Sequence, residues 1–337
     1  MWLSKIYPIN IDKSGKRWYN TVIKNSTEEG EMSSVKTYKN PIYRGADPFI
    51  LTHEGKYYLY ATNAASEGYK VAQSDDLVNW EDKGFCLKKG DVKGELVYSA
   101  DGKWCYGFWA PEVMYYKGKF YMIYTVDNHI GIAEADSPLG PFTQKEHKWI
   151  VDSKAIDGSF FVDDDGAVYL YYRHVEKNRL VGVRLSDDLT SADMSTMRVL
   201  ITPGEFPWEE AEPGVIGTEG PFVLKHDGKY YITYSANDYR CQDYAIGYAV
   251  SDSPLGEYKK YAGNPILKRT DKVVGTGHHS FTKSADGKKL LCVYHTHNSL
   301  TSVEPRMVCI DYAEFVEKDG ETVLVIHGPT TEPVPEC

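Results

Sequence analysis

The sequence predicts an all-β protein, a five-bladed β-propeller that forms a single domain. Three observations lead to this prediction: a fivefold internal repeat, a composition rich in aromatic and turn-forming residues, and the lack of the sustained 3.6-residue apolar periodicity that amphipathic helices need. The 337-residue chain has 27 tyrosines, 29 glycines and 16 prolines but only 7 methionines. Aromatic residues favour strands, and large all-β domains often reach this length as one unit.

Each repeat consists of an extended run, a glycine turn and an aromatic strand, as in DPFILTHEGKYYLYAT. The five segments begin at Asp47, Trp109, Asp157, Glu219 and His278. The turn glycines are Gly55, Gly118, Gly166, Gly228 and Gly287, which lie 48 to 63 residues apart. A glycine turn between two β-type runs is typical of a hairpin, and a further strand follows in each unit. Repeats of three or four strands at this spacing indicate propeller blades.

The two ends of the chain depart from the repeat. Residues 1–37 carry no blade pattern, and we interpret them as an N-terminal extension that packs on the propeller or completes a blade. Residues 38–337 then form the propeller, with no second domain indicated. The segment TVLVIHGPTTEPVP near the C-terminus is expected to supply a last outer strand.

Charge and cysteine content narrow the function. The formal net charge is −10, from 38 basic and 48 acidic residues. This argues against nucleic acid or an anionic membrane as partner, because both demand a basic face. The six cysteines include no CxxC pair, so neither a zinc site nor a disulfide framework is indicated. The chain begins without a signal-peptide-like apolar run and contains no membrane-spanning stretch, so we expect a soluble, cytoplasmic protein.

The repeat also predicts which residues face the central channel, where propellers bind ligands. The innermost strands should begin there with Asp47, Trp109, Asp157, Glu219 and His278. Each has an ordinary alternative, since Asp-Pro and Asp-Gly are common turn pairs and Trp109 could be a core residue. Residues that only pack should be alike in a structural repeat, however, and three acids around one channel raise each other's pKa. Polar and acidic residues nevertheless recur at the start of the innermost strands, and this recurrence favours a catalytic site.

At these residues the sequence resembles glycoside hydrolase family 43, from about Tyr38 to Pro335. The matching pieces are RGADPF, FWAPEV, AIDGSFF, TEGPF and GTGHHSF, one per repeat and in order. The resemblance implies an inverting enzyme that removes arabinofuranosyl or xylosyl units from plant polysaccharides. It also implies a general base at Asp47, a general acid at Glu219, and at Asp157 a residue that orients the acid and adjusts its pKa.

The resemblance extends to groups around the carboxylates. His278 matches a channel histidine found near a calcium ion or a central water, so we expect calcium held through water, with either His278 or His279 facing the channel. Arg306 lies where family members place a substrate-contacting arginine. Trp109 and Phe49 are candidates for an apolar wall against the sugar ring.

The proposed chemistry suits the order of the blades. Inversion requires a base and an acid about 6.5–9.5 Å apart, on opposite faces of the sugar. Blades 1 and 4 are not adjacent in a ring of five, so Asp47 and Glu219 should face each other across the channel. Asp157 in blade 3 should lie beside Glu219 and raise its pKa.

We expect an exo-acting α-L-arabinofuranosidase, with β-xylosidase activity also allowed, acting on arabinose- or xylose-containing oligosaccharides. The alternatives are an endo-arabinanase of the same fold and a non-catalytic sugar-binding propeller. The latter predicts aromatic and amide residues at the channel instead of three acids. A phosphorolytic enzyme would need a clustered basic phosphate site, which the sequence does not show.

Overall fold

The computed structural model describes residues 37–94, 97–98, 104–105, 107–210 and 217–335. Most of its strands form five antiparallel sheets arranged as blades around a channel, and two further pairs of short strands make separate two-stranded sheets; this confirms the predicted all-β propeller. Apart from Thr37, the predicted N-terminal extension lies outside the described residues. One short 3-10 helix, Pro207–Glu209, is the helical segment of the described part.

The strands, numbered along the chain, are β1 (Thr37–Tyr38), β2 (Tyr43–Arg44), β3 (Ala46–His53), β4 (Lys56–Thr62), β5 (Gly68–Ser74), β6 (Glu81–Lys88), β7 (Val97–Tyr98), β8 (Trp104–Cys105), β9 (Phe108–Tyr116), β10 (Lys119–Val126), β11 (His129–Ala135), β12 (Ala155–Val162), β13 (Val168–His174), β14 (Arg179–Leu185), β15 (Ala192–Ile201), β16 (Thr218–His226), β17 (Lys229–Ala236), β18 (Ala245–Ser251), β19 (Lys259–Lys260), β20 (Gly277–Lys283), β21 (Leu290–Thr296), β22 (Met307–Lys318), β23 (Glu321–Ile326) and β24 (Val334–Pro335).

Each blade is a meander whose first strand is innermost. Blade 1 is β3–β6, blade 2 is β9–β11, blade 3 is β12–β15 and blade 4 is β16–β19. Blade 5 contains β20–β22, and β2 and β23 both pair with β22. Because β2 directly precedes blade 1, its pairing with β22 ties the first blade to the last and closes the ring. The predicted C-terminal outer strand is confirmed as β23.

The predicted turn glycines join the first two strands of every blade. All five have positive φ, between 73° and 85°. In blades 1, 2 and 4 the loop has only two residues, Glu54–Gly55, Lys117–Gly118 and Asp227–Gly228, and φ is positive at both. This is the type I′ geometry that matches the twist of the flanking strands, and glycine adopts it without a steric penalty.

The core lies between neighbouring blades as five apolar clusters, one for each interface around the ring. Tyrosines fill much of it, and a buried tyrosine needs a partner for its hydroxyl. The Tyr60 hydroxyl of blade 1 donates to the carbonyl of Pro138, which follows blade 2, at 2.5 Å. The equivalent Tyr171 of blade 3 donates to the carbonyl of Pro254, in the connection between β18 and β19 of blade 4, at 2.9 Å. These contacts explain the high tyrosine content, because one side chain supplies both apolar area and a link between blades.

Cysteine thiols form part of the core. Cys86, Cys292 and Cys309 are buried in the apolar clusters between blades, outside any disulfide. Within the described ranges, no helix is long and apolar enough to cross a membrane.

Candidate active site

The innermost strand of every blade contains a β-bulge near its start. The pairing register with the second strand shifts there in all five blades. One residue of each bulge has positive φ: Asp47 (50°), Ala110 (46°), Asp157 (58°), Gly220 (55°) and His278 (43°). Aspartate and glycine tolerate this conformation better than most residues, and bulges commonly redirect side chains beside active sites.

The bulges correct the alignment of the repeats. Asp47, Asp157 and His278 occupy the bulge position, whereas Trp109 and Glu219 precede it by one residue. The prediction from the repeat placed all five at equivalent positions. The positions differ because the hairpin loops of blades 3 and 5 are longer than the two-residue loops of the other blades, which changes the number of residues between the bulge and the turn glycine.

A cavity of about 450 Å³ lies over the bulges, a volume typical of small-molecule sites. Its lining is formed by Asp47, Trp109, Ile156, Asp157, Arg173, Gly217, Glu219, Asn237, Asp238, Tyr239, His278 and Arg306. The structure therefore brings together the three predicted carboxylates with Trp109, His278 and Arg306. Phe49 does not line this cavity. It packs on the core between blades 1 and 2 and borders a smaller cavity of about 20 Å³, so its contact with the sugar stays a prediction.

Asp47 is buried, and its carboxylate lies close to an arginine, a threonine and two histidines. Its Oδ1 accepts a hydrogen bond from Arg306 Nη1 at 3.0 Å, and its Oδ2 accepts one from Thr62 Oγ1 at 2.7 Å. The Nδ1 atoms of His278 and His295 each lie 3.4 Å from Oδ1. Burial opposes ionisation, but the surrounding charges, Arg306 first, outweigh it and hold the pKa of Asp47 well below its usual range. Asp47 is therefore a carboxylate at neutral pH, as a general base must be.

Asp157, on the first strand of blade 3, contacts blade 4. Its Oδ2 accepts a hydrogen bond from the backbone N–H of Gly220, the neighbour of Glu219, at 3.0 Å. Burial raises the pKa of Asp157 to about 6; His278 opposes this rise, and the negative charges of Glu219 and Asp47 add to it. Its ionisation therefore falls within the range in which glycosidases work, next to the predicted acid.

Glu219 is held at both oxygens. Arg173 Nη1 donates to Oε2 at 2.7 Å, and the Tyr244 hydroxyl donates to Oε1 at 2.8 Å. Neither partner is among the residues predicted from the sequence, and His295 beside Asp47 is not among them either. A signal for Arg173 and His295 was present: each stands at the end of the second strand of its repeat, where the other three repeats have threonine or serine.

The structure decides between the two adjacent histidines. His278 lines the cavity, with Nδ1 3.4 Å from Asp47 and 4.0 Å from Asp157. His279 is buried, with Nδ1 3.5 Å from Ser235 Oγ, and burial lowers its pKa to about 3. His278 is therefore the residue that faces the active-site cavity.

Metal ligands are scarce at this site. Across the described ranges, no group of three or more histidine, cysteine, aspartate or glutamate side chains is arranged to hold a metal ion. Calcium prefers six to eight oxygen ligands, and His278 offers only nitrogen. An ion near His278 would therefore have to be held through its water shell.

Three carboxyl groups line one cavity of the propeller: Asp47 and Glu219 each pair with an arginine, and burial raises the pKa of Asp157. Paired carboxyl groups in a cavity are what a glycoside hydrolase requires. The chain belongs to this class through glycosyl hydrolases family 43, whose family model matches residues 38–321.

Known proteins similar to this chain differ in their substrates. The crystal structure of an endo-1,4-β-xylanase from Bacteroides thetaiotaomicron is 37% identical, with a TM-score of 0.77 over 90% of this chain and 99% of that chain. The β-D-galactofuranosidase of Aspergillus niger is 28% identical, covering 85% of this chain and 84% of the relative. The arabinoxylan arabinofuranohydrolase of Paenibacillus polymyxa is 28% identical over 70% of this chain. This chain spans only 42% of that relative's length.

Proposed function

We propose that this family 43 glycoside hydrolase is an exo-acting, inverting α-L-arabinofuranosidase that also accepts β-xylosides. Its substrates would be arabinose- or xylose-containing oligosaccharides from plant hemicellulose or pectin. The observation that carries the proposal is the placement of two carboxyls on non-adjacent blades around one cavity, each held by its own partners. Asp47 is kept ionised by Arg306, while Glu219, on a non-adjacent blade, is held by Arg173 and Tyr244.

The proposed reaction is a single displacement. Asp47 accepts a proton from a water molecule, and the water oxygen forms a bond to the anomeric carbon. The bond from that carbon to the glycosidic oxygen breaks on the opposite face, and Glu219 gives its proton to the departing oxygen. The configuration at the anomeric carbon inverts, and Asp47 later returns its proton to solvent as Glu219 regains one.

Three further residues have proposed supporting roles. Asp157 fixes the bulge that carries Glu219 through the N–H of Gly220, and its negative charge acts on the acid. Trp109 forms an apolar wall of the cavity. Arg306 is kept rigid by Asp47, by Glu304 at 3.2 Å and by the ring of Tyr239 at 4.4 Å, so its guanidinium can bind a sugar hydroxyl with little loss of entropy.

The choice of sugar is supported by chemistry shared among the relatives. An α-L-arabinofuranosyl ring and a β-D-galactofuranosyl ring have the same hydroxyl configuration, and two of the three proteins described above are named for these furanosides. The third, the xylanase, supports the β-xyloside alternative. Endo-arabinanase activity remains the competing hypothesis within the fold, and a cytoplasmic location stays a prediction.

Calcium near His278 is a separate proposal. The acidic cavity favours a cation, and the smaller cavity of about 20 Å³ bordered by His278 is large enough for one water molecule. Because a three-ligand set is missing among the described side chains, the ion would be held through water. Adding calcium after chelation should raise Tm. If neither chelation nor added calcium changes Tm or activity, the ion has no role.

Three substrates assayed side by side test the proposed specificity: an aryl α-L-arabinofuranoside, an aryl β-D-xyloside and linear arabinan. We expect the arabinofuranoside to be hydrolysed fastest, with arabinose as the first product from arabinan. Proton NMR during early turnover should show an inverted anomer. A retained anomer refutes the single displacement, and early release of long arabinan fragments supports the endo alternative.

The roles of the two carboxyls are tested by the leaving group. Nitrophenolate departs with little protonation, whereas a sugar alkoxide does not, and general acid catalysis contributes about 10²–10⁴-fold. Glu219→Gln should therefore lose more activity on an oligosaccharide than on a nitrophenyl glycoside. Asp47→Asn should lose activity on both, because water must be activated in either case. The reverse pattern would mean that acid and base are exchanged.

A further inference from the structure

A ring of hydrogen bonds links the blades around the channel. The first strand of each blade contains the bulge, and the residue just before the bulge pairs with a residue of the second strand. That second-strand residue is polar in every blade: Thr62, Thr125, Arg173, Ser235 and His295. In four blades this side chain accepts the N–H of the bulge residue of the next blade. The bonds are Ala110 N to Thr62 Oγ1 at 2.9 Å, Asp157 N to Thr125 Oγ1 at 3.1 Å, His278 N to Ser235 Oγ at 2.7 Å and Asp47 N to His295 Nδ1 at 3.2 Å.

Blade 3 is the exception. Its residue at this position is Arg173, and a guanidinium has donors but no acceptor. The N–H of the next bulge, at Gly220, is accepted instead by Asp157 Oδ2 at 3.0 Å. A catalytic-site carboxylate thus fills the place that a hydroxyl or imidazole fills in the other blades.

Arg173 makes different contacts from its four counterparts. Nη1 donates to Glu219 Oε2 at 2.7 Å, and Nη2 donates to Asn178 Oδ1 at 3.2 Å. In the other blades the equivalent side chain binds the bulge residue of the next blade. Arg173 instead binds Glu219, which directly precedes Gly220, the bulge residue of blade 4. With Tyr244 on Oε1, both oxygens of the acid are held, and each keeps a second direction in which it can carry the proton that goes to the departing oxygen.

We propose that Arg173 is the positioning residue of the general acid, and that Asp157 completes the ring in its place. This inference rests on the role of Glu219 in the proposed function. A carboxyl that protonates a glycosidic oxygen must lie in one orientation, and small misplacements of catalytic groups cause large losses of rate. Arg173 fixes that orientation from a rigid strand without itself contacting the bond that breaks.

The repeat suggests a variant that should keep the fold. Arg173→Thr gives blade 3 the residue that blades 1 and 2 have at this position, and its hydroxyl can accept the N–H of Gly220. Arg173→Lys keeps the positive charge but loses the planar fork that binds a carboxylate. Arg179→Ala, which removes an exposed arginine from the same blade, is the matched control.

The experiment measures kcat and KM on an oligosaccharide and on the nitrophenyl glycoside of the same sugar, with Tm as the check on folding. Arg173→Thr should lower kcat/KM on the oligosaccharide about 10-fold or more beyond its effect on the nitrophenyl glycoside, a factor within the contribution of a general acid. The loss should be in kcat more than in KM, with Tm unchanged. Arg173→Lys should be intermediate, and Arg179→Ala should behave as the wild type. Adding Arg173→Thr to Glu219→Gln should not change the ratio between the two substrates any further.

The outcomes separate this inference from the proposed function. If Glu219→Gln distinguishes the two substrates but Arg173→Thr loses equally on both or loses nothing, only the role of Arg173 is overturned. If Glu219→Gln itself shows no difference, the assignment of the acid fails first. If Arg173→Thr does not fold, Arg173→Lys decides, and a wild-type substrate ratio in that variant overturns the inference.

Discussion

Replacing Asp157 by asparagine should make the protein more stable at neutral pH and less active. Asp157 is buried, and its pKa in the folded protein is about 6, compared with an ordinary value of 3.8. Each pKa unit corresponds to about 1.4 kcal/mol, so ionised Asp157 lowers the free energy of unfolding by about 3 kcal/mol. An asparagine oxygen can still accept the N–H of Gly220, although more weakly than a carboxylate. We therefore expect a net gain of about 1–3 kcal/mol.

The pH dependence follows from the direction of the shift. Because the folded pKa lies above the unfolded one, the carboxyl is protonated in both states below about pH 4, and no penalty exists there. As the pH rises from about 4 to 6, the unfolded chain loses its proton first and the wild type loses stability. The advantage of Asp157→Asn should therefore grow over this window and stay constant above it.

Equilibrium unfolding in urea at pH 4 and pH 7.5 measures this effect. Asp187→Asn, at an exposed position on the same blade, is the control and should leave the free energy of unfolding unchanged at both pH values. A variant at Asp157 that is less stable than the wild type at pH 7.5, or whose advantage is the same at both pH values, would refute the reasoning. If Asp157→Asn is as active as the wild type, the proposed support of Glu219 by Asp157 is contradicted.

Three further predictions concern contacts around the site. Arg306→Gln removes the main charge that lowers the pKa of Asp47, so the acid limb of the kcat/KM profile should move upward by about 1–3 pH units; an unmoved limb would mean that Asp47 is not the base. Lys260→Met removes the lysine that pairs with the buried carboxylate of Glu209, 2.7 Å away, and should lower the free energy of unfolding by about 3–5 kcal/mol. Adding Glu209→Gln should restore part of this loss, and no restoration would contradict the account of a buried ion pair. Thr125→Val leaves the bulge N–H of blade 3 without its acceptor and should lower the free energy of unfolding by about 1–3 kcal/mol, measured by urea unfolding; an unchanged value would show that the ring contributes no stability.

Much of the fold and the central site could be predicted from the sequence. The hairpins are local, since a glycine turn between two alternating runs specifies its own strands, and five such units leave few architectures other than a propeller. The same repeat led to Asp47, Asp157 and Glu219 as candidates, because an acid stands at or beside the bulge near the start of three innermost strands. The predictions were weakest where loop lengths vary, as the shifted positions of Trp109 and Glu219 show.

What the sequence by itself determined was the blade count, the three candidate acids and their order around the channel, all of which follow from short-range patterns. Only the tertiary structure decided which groups hold those acids. Arg173 and Tyr244 reach Glu219 from positions 46 and 25 residues away, and Arg306 reaches Asp47 from 259 residues away. The tertiary structure also placed Phe49 and the buried His279 outside the lining of the main cavity. These contacts form only when the ring closes and the bulges set the direction of each side chain, and no local pattern of residues encodes that closure.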